Sequence, residues 1–120
     1  MTVILLVEDE EPIQQFIGEF LQDEGYTVIC AHHGAQALSM IERWRPDLVV
    51  TDLMMPIMNG SELCRRLRSE TATREVPIIV MSAAGRDQAD QGGADAFLSK
   101  PFELDDLLTM VAQYVGPPGQ

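Results

Sequence analysis

Apolar positions along the chain switch between two spacings. Thr2 to Val7 (TVILLV) is a continuous apolar run of strand length. Ile13, Phe16, Ile17, Phe20 and Leu21 then recur at i, i+3, i+4, i+7 and i+8, the stripe of an amphipathic helix. Pro12 suits the first turn of that helix and Gly25 its end. The alternation continues with a predicted strand over Tyr26 to Ala31 and a helical stripe of Ala37, Leu38, Ile41 and Trp44, closed before Pro46. DLVVT (Asp47 to Thr51) predicts a third strand, and Leu63, Cys64 and Leu67 a third helix. Val76 to Ser82 and Ala94 to Ser99 read as the fourth and fifth strands. Leu104, Leu107, Leu108, Val111 and Val115 mark the last helix.

Strands that are apolar throughout belong in a parallel sheet covered on both faces. Right-handed βα units of this kind build an α/β domain, a three-layer, doubly wound sheet of five parallel strands. Ligands of such sheets bind outside the carboxyl ends of the strands, so the residues there matter most.

Length allows one domain, expected over residues 1–116, with 117–120 as a tail or the start of a linker. The net charge of −11 argues against nucleic-acid binding, which needs a basic face. No apolar run approaches the ~20 residues of a membrane span. The start, MTVILLVEDE, lacks a basic leader region, and the expected location is cytoplasmic. Cys30 and Cys64 fall in apolar segments and read as reduced core cysteines.

Glu8 and Asp9 follow the first strand, and Asp52 follows the third. The fourth ends at Ser82, before Ala83 and Ala84, and the fifth is followed by Lys100, the only lysine, and Pro101. Each has a plain structural reading. Asp9 suits a helix cap near Pro12. Asp52 could simply end a strand, Ser82 be a loop hydroxyl, Lys100 a surface charge and Phe97 a core aromatic. His32 and His33 lie beyond the second strand, away from the acidic edge, and read as solvated. Met54, Met55 and Met58 read as loop packing.

Taken together and in order, LLVEDE, VVTDLMMPIMNG, VMSAA and AFLSKPF resemble the receiver domain of two-component response regulators, over essentially the whole chain. The resemblance implies a flavodoxin-like, CheY-like sheet of order 2-1-3-4-5 with five helices. It implies that Asp52 accepts a phosphoryl group from a phosphohistidine on a sensor histidine kinase or histidine phosphotransfer protein. Glu8 and Asp9 match the acidic pair that holds Mg²⁺ with Asp52, and the Met54 carbonyl matches a further ligand. Lys100 and Ser82 match the lysine and the switch hydroxyl, Phe97 the switch aromatic, and the Lys100–Pro101 bond is implied to be cis. A downstream effector protein or domain is the implied recipient of the signal. On this reading the chain catalyses only its own phosphorylation and dephosphorylation and is otherwise no enzyme.

Elementary chemistry agrees. Like charges about 4 Å apart repel by roughly 4 kcal/mol at an effective dielectric near 20, so three clustered carboxylates call for a cation. A small hard ion held by few carboxylates suits Mg²⁺. An aspartate is a known covalent phosphoryl acceptor, and its loose, highly charged transition state is helped mainly by positioning and electrostatics. Lys100 offers a mobile point charge.

Two departures from the family pattern stand out. The interval from Ser82 to Lys100 is short by about one helical turn, so a shortened, poorly anchored fourth helix and an atypical output surface are expected. Met54 and Ala84, two places beyond Asp52 and Ser82, cannot position an attacking water, which predicts slow self-dephosphorylation.

Rival classes fit less well. An aspartate-nucleophile phosphatase would want an acid where Met54 stands. A flavodoxin-type cofactor protein would want a phosphate loop where EDEEP stands. The alternative that remains is a receiver-like interaction module that is never phosphorylated.

Overall fold

The computed structural model describes residues 2–83 and 93–117. Five strands, β1 (Val3–Val7), β2 (Thr27–Ala31), β3 (Leu48–Asp52), β4 (Ile78–Ser82) and β5 (Ala96–Ser99), form one parallel sheet of order β2-β1-β3-β4-β5. Among the described residues the helices are α1 (Glu11–Asp23), α2 (Gly34–Trp44), α3 (Gly60–Ser69) and α4 (Leu104–Val115). The shortened helix expected between Ser82 and Ala94, Ala84, and the end of the tail lie outside the described residues.

The period-2 geometry of the strands divides the core into two layers. Leu5, Val7, Val49, Ile78 and Val80 pack against Ala37 and Ile41 of α2 and Leu63, Cys64 and Leu67 of α3. Ile4, Leu6, Leu48, Val50, Ile79 and Met81 pack against Ile17 and Leu21 of α1 and Leu107 and Val111 of α4. β3 and β4 are buried along their whole length, which is why their sequences are apolar on both faces. Cys30 and Cys64 are free thiols.

One residue in each of two predicted stripes faces solvent instead of the core. α1 buries Gln14, Ile17, Gly18 and Leu21, whereas Phe16 is 62% exposed. At 100° per residue Phe16 sits roughly 150° from the centre of the buried face. Gly18 lies on the buried face, where an added Cβ would make ordinary contacts, 3.7 Å from Cys30 Sγ and 3.8 Å from Leu6 Cδ2. Trp44, expected in the stripe of α2, is 51% exposed at the helix's last residue. There the chain turns through Arg45 with φ 48° toward β3, so no sheet surface remains for Trp44 to cover. The strands are also shorter than their apolar runs, β4 starting at Ile78 rather than Val76 and β5 at Ala96 rather than Ala94.

The amino ends of the strands are tied by side chains. Asp47 Oδ2 accepts from Val3 N (2.8 Å), and Tyr26 Oη donates to Gly116 O (2.9 Å). Arg68 of α3 donates to the carbonyls of Gly93 (3.1 Å), Arg74 (2.9 Å) and Val76 (2.7 Å), and pairs with Asp95. Asp95 in turn accepts from Ile78 N (2.8 Å), and its carbonyl from Tyr114 Oη (3.1 Å).

Candidate functional site

The carboxyl ends of β1, β3, β4 and β5 converge on one acidic notch. Ladder bonds run one residue past each strand: Glu8 N to Ala31 O (3.0 Å), Leu53 N to Met81 O (2.9 Å) and Lys100 N to Ser82 O (3.0 Å). The sheet itself therefore fixes the backbone of Glu8, Asp52, Ser82 and Lys100.

Glu8, Asp9 and Asp52 each present a carboxylate oxygen, all within 4.8 Å of one another. Glu8 and Asp52 are buried and Asp9 is exposed, so the notch opens to solvent on one side. Glu8 Oε2 accepts from Glu10 N (3.2 Å), while its buried Oε1 has no hydrogen-bond partner. Lys100 Nζ donates to Asp52 Oδ1 at 2.9 Å and stands 3.6 Å from Glu8 Oε1. Burial, reinforced by the charge of Asp52, pushes the Glu8 carboxyl up to about 7. For Lys100 burial alone would lower the ammonium's pKa, but the hydrogen bond to Asp52 and the charges of Asp52 and Glu8 outweigh it and raise it.

The loop after β3 folds back tightly over Asp52. Gly60 N donates to Leu53 O (2.7 Å), and a Cβ at Gly60 would lie 2.6 Å from Asp52 O. Only glycine fits that approach. Asn59 is the N-cap of α3, its Oδ1 accepting from Glu62 N (2.9 Å). The Asn59-Gly60 pair thus starts a helix as well as closing a turn. Ile57 in the same loop has φ 71° and is 91% exposed, an unusual backbone for a β-branched residue. The Met54 side chain is also exposed, while Met58 is buried.

The remaining residues singled out in the sequence fall as follows. Ser82 is buried at the end of β4, and Phe97 is half-buried on β5, opposite Val80 and against the α2–α3 layer. The Lys100–Pro101 bond is cis. The N-cap of α1 is Glu10 rather than Asp9, and its side chain forms no capping hydrogen bond. His33 caps α2, its Nδ1 accepting from Gln36 N (3.2 Å), a structural role the sequence reading did not assign. His32 is exposed. Gln14 was also passed over, since a lone glutamine beside an apolar stripe reads as surface, yet it is buried and reaches the strand ends.

Fold and acidic edge together define a receiver-type signalling domain. The sequence profile of the response regulator receiver domain matches residues 4–112, and the chain belongs to that family. The response regulator MprA of Mycobacterium ulcerans is 42% identical over 111 residues, covering 88% of this chain and 46% of the relative. The chain thus spans about half the length of the curated relatives it matches. Among solved structures, chemotaxis protein CheY4 of Vibrio cholerae aligns with a TM-score of 0.89 at 30% identity, covering 95% of this chain and 98% of that one. The receiver domain of the sensor histidine kinase PA1611 from Pseudomonas aeruginosa aligns with a TM-score of 0.88 at 33% identity, covering 96% and 98%. That structure carries a magnesium ion coordinated in its active-site cleft. Among the described residues no helix is long and apolar enough to cross a membrane.

Proposed function

We propose that Asp52 is the phosphoacceptor, taking a phosphoryl group from a phosphohistidine on a sensor histidine kinase or histidine phosphotransfer protein. The observation that carries this reading is Lys100 Nζ at 2.9 Å from Asp52 Oδ1, beside a carboxylate trio at the sheet's carboxyl edge. In the transfer the N–P bond of the donor breaks as an O–P bond forms to Asp52. The donor imidazole leaves neutral.

The donor set fits Mg²⁺. Its atoms are hard oxygens, two from buried acids, and Glu8 Oε1 is oriented into the notch without a hydrogen bond. Glu8, Asp9 and Asp52, with the Met54 carbonyl, would hold the ion. When bound, it supplies charge neutralisation for the phosphoryl oxygens. Lys100 shifts from the Asp52 carboxylate to a phosphoryl oxygen as negative charge accumulates there. Ser82 donates to another phosphoryl oxygen, and Phe97 takes up the space that the serine leaves. Phosphorylation adds nearly two negative charges, and these bias the domain toward a second arrangement of its output surface. A downstream effector protein or domain reads that surface. The receiver unit spans 1–116 with 117–120 as tail or linker, acts in the cytoplasm, and has no catalysis beyond its own phosphorylation and dephosphorylation.

Intact-mass measurement after incubation with acetyl phosphate and Mg²⁺ tests the reading. A single phosphoryl adduct is expected on the wild-type chain and none on Asp52→Asn. No adduct on either would favour an interaction module that is never phosphorylated.

A further inference from the structure

Gln14 is a buried polar side chain that the phosphoryl chemistry does not use. Its Nε2 donates to Glu8 O (3.1 Å) and to Ala31 O (2.9 Å). Both partners are carbonyl oxygens that only accept, so it is the amide nitrogen that must face them. Ala31 O also accepts from Glu8 N (3.0 Å), which closes a three-way set of bonds around the Glu8 backbone. One side of Glu8 is then held by the sheet and the other by the first turn of α1, where Gln14 N donates to Glu10 O (3.0 Å). Glu10 N in turn donates to Glu8 Oε2, which leaves Oε1 directed into the notch.

We propose that Gln14 is a positioning residue of the cation site, its amide locking the Glu8–Asp9 backbone so that both carboxylates meet Asp52 at ligating separation. The physical reason is leverage. Without the amide, the Glu8 carbonyl is a buried acceptor without its donor, and the peptide joining Glu8 to Asp9 is free to rotate. Rotation of that one plane displaces two ligands at once. A surface glutamine could not do this, and neither could an apolar residue of the same size.

This inference rests on the reading that Glu8, Asp9 and Asp52 hold Mg²⁺, and calorimetric titration with MgCl₂ separates the two. Outer residues that orient ligands typically cost 10–100-fold in metal affinity when removed, and that loss is expected for Gln14→Met. Val111→Ala, a core truncation on α4, should lower the melting temperature and leave the Mg²⁺ affinity unchanged. Wild-type affinity in a folded Gln14→Met variant overturns the proposal, as does an equal loss in Val111→Ala. If Gln14→Met does not fold, Gln14→Asn decides, since its amide is one carbon short of the two carbonyls. Unaltered Mg²⁺ binding by that variant also overturns the proposal. A wild-type chain that takes up no Mg²⁺ removes both this inference and the reading beneath it.

Discussion

Gly60 shows how little freedom the end of β3 has. Its Cα faces the Asp52 carbonyl at a distance that leaves no room for a methyl group, and the atoms it would meet are backbone. Gly60→Ala therefore has to move either the start of α3 or the Asp52 peptide itself. Overpacking of this kind destabilises by about 2 kcal/mol, and Asp52 is displaced with it. Urea unfolding should show the earlier midpoint, and acetyl phosphate labelling a lower yield at equal folded fraction. An unchanged midpoint would mean the loop has slack that the close approach denies. Ile57, three residues earlier, is the opposite case, a side chain held in a strained backbone region without any burial in return.

At the scale of elements, α1 and α3 reach the site through their first turns. α1 brings Gln14, α3 brings Gly60, and α2 starts at His33, whose ring nitrogen takes the place of the usual capping oxygen. Loss of an N-cap acceptor costs about 1 kcal/mol. His33→Ala should be destabilised by that amount in thermal or chemical unfolding, and His33→Asn should match or exceed the wild type. Equal stability of all three would show that the nitrogen contributes nothing. The parallel sheet and the acids at its edge were legible in the sequence because strand-length apolar runs end on charges, whereas the strand order came from the family resemblance alone. The faces of the helices were less legible. Period 3.6 leaves the edges of a stripe open, and nothing in the letters around Phe16 says that the buried face will centre on Gln14, Ile17, Gly18 and Leu21 and leave the phenylalanine outside. The contribution of Gln14 was hidden for a related reason, since its partners are main-chain carbonyls that carry no sequence signature.

For the whole molecule, the acidic notch links stability to pH and to magnesium. Glu8 moves from 4.5 to about 7 on folding, so the folded state binds its proton more tightly than the unfolded chain does. The associated stability is present in full below pH 4.5 and is lost as pH rises through 7. At 1.36 kcal/mol per pKa unit the loss is on the order of 3 kcal/mol. In the presence of EDTA, the melting temperature of wild type relative to Glu8→Gln should fall between pH 4.5 and 7.5. Added Mg²⁺, which needs the ionised carboxylate, should raise the melting temperature more at pH 7.5 than at pH 5. A magnesium effect that is larger at pH 5 would contradict the assignment of Glu8 as a ligand.

The guanidinium of Arg68 gives the domain a mechanical polarity. By gripping the turns that lead into β4 and β5 it bolts down the end of the sheet remote from the acidic notch, where Tyr114 of the last helix donates to Asp95 O and Tyr26, just before β2, to Gly116 O. The strands are therefore clamped by side chains at the foot, while the edge beside Asp52 is held by the ladder bonds that run past β1, β3 and β5.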